Sequence, residues 1–160
     1  SRDGSYAIDL SLFFGTFLNY TPESSVKLDT EVRTEDLEDN LIVVGGPVVN
    51  AITEKLNIKM PIKFDKENNW AVVSTISDKT YISDEVGVII KTKNPFNPRK
   101  SLLLIAGKRH SGTKAAILTF LKHFSMIAKG NKFNKKIFAK VVEGIDRDSD
   151  GVVDDSEVLE

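Results

Sequence analysis

Two stretches of this chain run apolar without interruption and stop at glycine: LIVVGG at 41–46 and LLLIAG at 102–107. Apolar runs of this length with no polar alternation belong to strands covered on both faces. Each run leads through a turn into a helical pattern, PVVNAITEKLN at 47–57 and AAILTFLKHFSMIA at 115–128. Pro47 suits a first helical turn. Upstream, AIDLSLFFGTFL (7–18) carries a broad apolar stripe and predicts a core helix, with Gly15 at a close packing contact. VKLDTEV (26–32) alternates like a half-exposed strand, and TEDLEDN predicts a short acidic helix capped by Thr34. Short β-type runs follow at 62–64, 71–75 and 86–92, divided by Asp, Asn, Ser and Lys turns. NPFNPRK (94–100) reads as an irregular loop, since its two prolines forbid a helix. A last helix is predicted over 135–144, leading into an acidic loop. Continuous strands alternating with helices predict an α/β fold: a Rossmann-like three-layer domain with a parallel or mixed sheet over 1–145, with residues 146–157 appended to it.

The composition narrows the chemistry. At 160 residues, 41% hydrophobic and 28% charged, the chain fits one core. No apolar run approaches the roughly 20 residues of a membrane span. The opening SRDGSYAIDL lacks the basic and apolar regions of a secretory signal, and a start without Met leaves the compartment open, cell surface or cytoplasm. With no cysteine, thiol catalysis, disulfides and zinc–thiolate sites are excluded, and oxygen ligands are the natural metal chemistry. The net charge of −1 conceals blocks. Residues 1–85 carry 15 acidic and 8 basic residues, 86–142 carry 13 basic and no acidic ones, and 143–160 carry 8 acidic residues and Arg147. Such blocks describe either solvated faces, a polyanion-binding face, or surfaces that meet each other or a neighbour.

The segment DRDSDGVVDDSE (146–157) satisfies the EF-hand loop pattern at every specified position. Calcium takes about six to eight oxygens, which a tight loop supplies from alternating positions. Asp146, Asp148 and Asp150 fill the first three, Val152 gives its backbone carbonyl, Asp154 follows directly or through water, and Glu157 closes the shell. Gly151 makes the turn, and Val153 is expected to point inward as an anchor. Only Val158, Leu159 and Glu160 follow, so the pattern predicts a structural calcium site rather than a sensor that opens.

Gly45-Gly46-Pro47 and Ser111-Gly112-Thr113, with Lys114 beside the second, each separate a buried strand from a helix. Backbone N–H groups at such turns can hold a phosphate, although neither segment is a dinucleotide fingerprint or a P-loop, and tight-turn chemistry explains the glycines as well. No catalytic constellation emerges. His110 and His123 fall in no triad or metal spacing, and Ser111 lies in no nucleophile elbow. Trp70 and NKFNKKIF (131–138) could stack on nucleic acid; the four-residue spacing of Phe133 and Ile137 predicts instead a buried helical face.

NLIVVGGPVVN, then GVIIKTKNPFNPRKSLLLIAGKRHSGTKAAILTFL, then VVEGIDRDSDGVVDDSEVLE, in this order, resemble the C-terminal region of archaeal surface-layer (S-layer) proteins and their S-layer-like relatives over roughly residues 40–160. The resemblance implies a non-enzymatic module of a cell-envelope lattice, with protein self-association or an envelope partner and divalent cations supporting the surface. An N-x-[ST] glycosylation match stands at Asn19-Tyr20-Thr21. The second reading is an intracellular Rossmann-like domain that binds a nucleotide or another phosphorylated ligand near Gly45, Gly46, Gly112 and Thr113.

Overall fold

The computed structural model describes residues 26–160. The stretch 7–18 read above as a helix, and the Asn19 glycosylation match, lie outside them.

The two apolar runs form strands, and they are neighbours. β1 (Leu41–Val44) lies parallel to β6 (Asn97–Gly107), with Leu41 opposite Leu102 and Val44 opposite Ile105. β5 (Val86–Asn94) is antiparallel to β6 and to β7 (Ala139–Ile145), and β8 (Asp155–Val158) adds antiparallel to β7, giving the order β1-β6-β5-β7-β8. A second sheet is the antiparallel meander β2 (Ile62–Asp65), β3 (Ala71–Ser74) and β4 (Lys79–Tyr81). Three helices complete the described residues: α1 (Ala51–Asn57), α2 (His110–Lys122) and the single turn α3 (Phe124–Ile127).

Side chains alternate across a strand, and the large sheet uses both faces. Val86, Val88 and Ile90 of β5, Leu102 and Leu104 of β6, and Ala139 and Val141 of β7 point one way, onto Ile62, Phe64 and Val72 of the small sheet and Ile52 and Leu56 of α1. Ile89, Ile105 and Val142 point the other way, onto Ala115, Ala116, Ile117 and Phe120 of α2. Asn50 caps α1, accepting from the N–H groups of Ile52 and Thr53.

The Rossmann-like three-layer expectation is overturned. Only β1 and β6 run parallel, the other neighbours in the large sheet are antiparallel, and a three-stranded meander shares one face with the short α1 in place of the expected helical layer. The helix expected over 135–144 is absent, because AKVVEGI forms β7: Ala139 and Val141 face one core and Val142 the other, a period of two that β-branched residues favour. No EF-hand helix therefore enters the acidic loop; it sits in the β7–β8 hairpin. NPFNPRK is the turn and first residues of the β5–β6 hairpin, with Asn94 opposite Asn97 and a register shift at Lys93/Asn94. Pro98 is tolerated beside that irregularity, where ladder pairing lapses. The expected strand at 26–32 instead holds a 3₁₀ turn at Asp29–Glu31, and the acidic helix after Thr34 is a 3₁₀ turn at Glu35–Glu38.

Candidate metal centre and glycine turns

The β7–β8 connection brings three carboxylates together. One oxygen each from Asp146, Asp148 and Asp154 lies within 4.8 Å of the others. Asp146 anchors the turn, accepting from Gly151 N at 2.8 Å and Asp150 N at 3.2 Å. Gly151 adopts φ +85°, left-handed backbone that a side chain would strain. The Gly151 N–H, reinforced by those of Ser149 and Asp150, holds the Asp146 carboxyl below the ordinary range. Asp148 behaves oppositely. The Asp150 N–H lowers it, but the like charges of Asp150 and Asp154, with some loss of hydration, prevail and raise it although the side chain is exposed. Three hard oxygens at this spacing, with too little positive charge among them, suit a divalent cation.

The remaining residues of the pattern stand differently. The Asp150 carboxylate turns back to accept from Val152 N at 2.8 Å. Val152 is exposed. Glu157 is exposed on β8, opposite Glu143 of β7. Val153 points inward as expected and is buried in the α2-side core.

α2 fixes the loop's C-terminal base. The Lys122 ammonium donates to the Asp154 carbonyl at 2.6 Å, Thr119 and Ser156 share a hydroxyl hydrogen bond at 2.8 Å, and His123 Nε2 lies 3.2 Å from Asp155 Oδ1. Arg147 Nε donates to the other Asp155 oxygen at 2.7 Å. The Ser156 N–H, then Arg147 and His123, hold the Asp155 carboxyl far below its usual range.

The two glycine turns also meet, because β1 and β6 are parallel neighbours and both end at the same edge. A Cβ on Gly46 would stand 2.0 Å from the Gly107 carbonyl oxygen, and one on Gly107 would stand 2.0 Å from the Thr113 nitrogen. These glycines let three backbones touch, which accounts for them as packing residues. A cleft lined by Gly46, Val48, Val49, Gly107 and Thr113 opens there. Its nearby cations are already engaged. Lys108 donates to the Ile82 carbonyl at 2.6 Å and pairs with Asp84 at 2.7 Å, and Arg109 Nη2 donates to Asn69 at 2.9 Å. Ser111 Oγ donates to the Asp84 carbonyl, Gly45 N to Ile105, and Thr53 Oγ1 to the Gly45 carbonyl. Gly112 and Thr113 are buried in the first turns of α2, and Lys114 follows them. The face of Trp70 carries Lys66 and that of Phe133 carries Lys79, at 5.5 and 4.8 Å. Phe133 lies on no helix and is exposed.

One polar cluster has no sequence signal. Glu160, 1% exposed, accepts from Ser74 Oγ at 2.8 Å, Tyr81 Oη at 2.7 Å, Asn131 Nδ2 at 3.0 Å and Ser77 Oγ. Burial raises its pKa, but the donors Ser77, Asn131, Tyr81 and Ser74 together hold the carboxyl below the usual range. Burial, with the Glu160 charge beside it, pushes the Tyr81 phenol up to about 12. Ser, Tyr and Asn spread over 58 positions form no motif; only folding assembles them.

An uncharacterized protein of Methanocaldococcus jannaschii is 33% identical over 90 residues, 56% of this chain and 18% of that protein, so the chain spans under a fifth of that relative's length. No solved structure matches. The family described as "S-layer like family, outer domain" matches residues 19–124, a stretch that includes both sheets through β6 together with α2 and stops before the acidic hairpin. This bears out the family resemblance for the segments that carry the glycine turns and NPFN, while the third, acidic segment lies outside the match: the chain belongs to the S-layer like family, outer domain.

Proposed function

We propose that this chain is a non-enzymatic structural module of a cell-envelope assembly, held together in its β7–β8 hairpin by calcium and associating with further protein copies. Membership of the S-layer like family supports the structural role. The observation that carries the calcium reading is the convergence of Asp146, Asp148 and Asp154 on one point with a raised Asp148 carboxyl, a like-charge repulsion that a divalent cation relieves. The Val152 carbonyl and water would add further oxygens, and Asp150 and Glu157 would join the shell only if the loop rearranges around the ion. Magnesium competes poorly there because it resists a large, flexible oxygen shell. Among the described residues no helix is long and apolar enough to cross a membrane.

Isothermal titration with calcium chloride tests this: one ion per chain with a rise in Tm is expected, and Asp146→Ala abolishes both. A silent titration of folded protein at millimolar calcium sinks the calcium reading. Because the charge blocks would meet across copies, association measured by sedimentation should rise with calcium and fall with added salt. A monomer under every one of those conditions would overturn the associating role.

A further inference from the structure

The four groups that hold Glu160 belong to parts of the chain remote from it. Ser74 ends β3, Ser77 lies in the β3–β4 turn, Tyr81 ends β4, and Asn131 stands in the segment before β7. Glu160 itself lies two residues beyond β8, where the N–H groups of Leu159 and Glu160 both donate to the Val141 carbonyl. β8 is four residues long, pairs with β7, and hangs from the acidic loop. A carboxylate offers about four lone-pair directions, and here four donors fill them. No ion pair to Glu160 occurs among the described residues, so hydroxyl and amide donors hold its charge. Withdrawing Glu160 would leave the buried Ser74 hydroxyl and one N–H of the buried Asn131 amide without this acceptor, along with the half-buried Ser77 and Tyr81 hydroxyls, so the seat is costly to leave empty.

We infer that Glu160 is a latch that makes the acidic β7–β8 hairpin and the three-stranded β2–β4 sheet one cooperative unit, so that loosening the hairpin loosens the small sheet. Coupling of this kind is reciprocal: whatever steadies β8 steadies β3 and β4, and the reverse. The mechanical path is short. Val153 sits in the α2-side core against Gly144, β8 follows directly, and Glu160 ends in the polar seat on the opposite side of the sheet, where Leu159 packs with the small-sheet core. The latch stands without any ion; calcium, if bound, would act on it only by steadying the hairpin.

Hydrogen exchange on calcium-free protein, in a double-mutant cycle, tests it. Glu160→Gln keeps the shape but removes the charge, and Val153→Ala disturbs the hairpin base without touching the small sheet. In wild-type background, Val153→Ala should lower protection of the Val72–Ser74 and Tyr81 amides along with that of β8. Glu160→Gln alone should lower the same amides about ten- to hundredfold, the loss expected when hydrogen bonds to a charge are weakened. Added to Glu160→Gln, Val153→Ala should then change β8 but leave β3 and β4 where Glu160→Gln put them. Additive effects on β3 and β4 would refute the latch, as would unchanged protection there in a folded Glu160→Gln protein. Ser77→Ala, which removes one donor, gives a milder version of the same pattern and serves if Glu160→Gln fails to fold. A silent calcium titration would leave this result intact and bear on the metal reading alone.

Discussion

Asp148 lies in the β7–β8 loop and Glu160 two residues beyond β8, and both end in a carboxyl, yet their surroundings are opposite. Asp148 is exposed among other carboxylates, which raise its pKa against the pull of one backbone N–H. Glu160 is buried among hydroxyls and an amide, which lower its pKa against the pull of burial. The difference teaches that burial alone does not decide how a carboxylate behaves; the balance of donors and like charges does. In the exposed loop the carboxylates face one another, whereas in the buried seat four donors face a single carboxylate.

The largest effect is expected where that balance is most complete. Glu160→Ala leaves Ser74, Ser77, Tyr81 and Asn131 without their shared acceptor and should cost about 3 kcal/mol of stability. For a chain of this size that lowers Tm by roughly 10 °C. An unchanged melting curve would make the seat incidental. Next comes acid sensitivity, where the two carboxyls should pull in opposite directions. Glu160 has a folded-state pKa below its unfolded value, so its stabilisation is present above the ordinary glutamate range and is lost as pH falls through the folded pKa. Asp148 has a raised pKa, so its contribution is favourable when protonated and fades as pH rises through that value. Denaturation midpoints between about pH 3 and 6 should therefore fall less steeply with acid in Glu160→Gln and more steeply in Asp148→Asn than in wild type. Matching slopes in the two variants would erase the contrast. The smallest effect belongs to Asp150→Asn without calcium. Its side chain accepts from Val152 N, a bond that an asparagine oxygen reproduces, so stability should stay within about 0.5 kcal/mol of wild type. A larger loss would mean that the Asp150 charge has a structural role of its own.

Much of this was readable along the chain, in particular places. LIVV and LLLIAG are strands because a continuous apolar run fits a position covered on both faces. The acidic pattern folded into a loop whose first carboxylate bonds back to Gly151 N, as a short-range motif should. Val153 faced inward. Other readings failed where local pattern is ambiguous. NKFNKKIF matches a helical spacing at Phe133 and Ile137, and KKIFAKVVEG reads on as a helix, yet the alternation of Ala139, Val141 and Val142 prevailed once β5 offered an edge to pair with. The twice-repeated strand, glycine turn and helix suggested a parallel sheet, although a hairpin between Asn94 and Asn97 already reversed the chain.

By itself, then, the sequence determined which runs are apolar enough to become strands, where glycine permits close turns, and which carboxylates share a loop, because these depend on neighbours a few residues apart. Tertiary structure alone decided strand direction, the strands that flank the acidic loop, the engagement of Lys108 by Asp84 and Ile82, and the seating of Glu160 by Ser74, Ser77, Tyr81 and Asn131. Those outcomes rest on groups up to 86 residues apart. Their energies exist only after the chain has closed around them, and no local spacing encodes them.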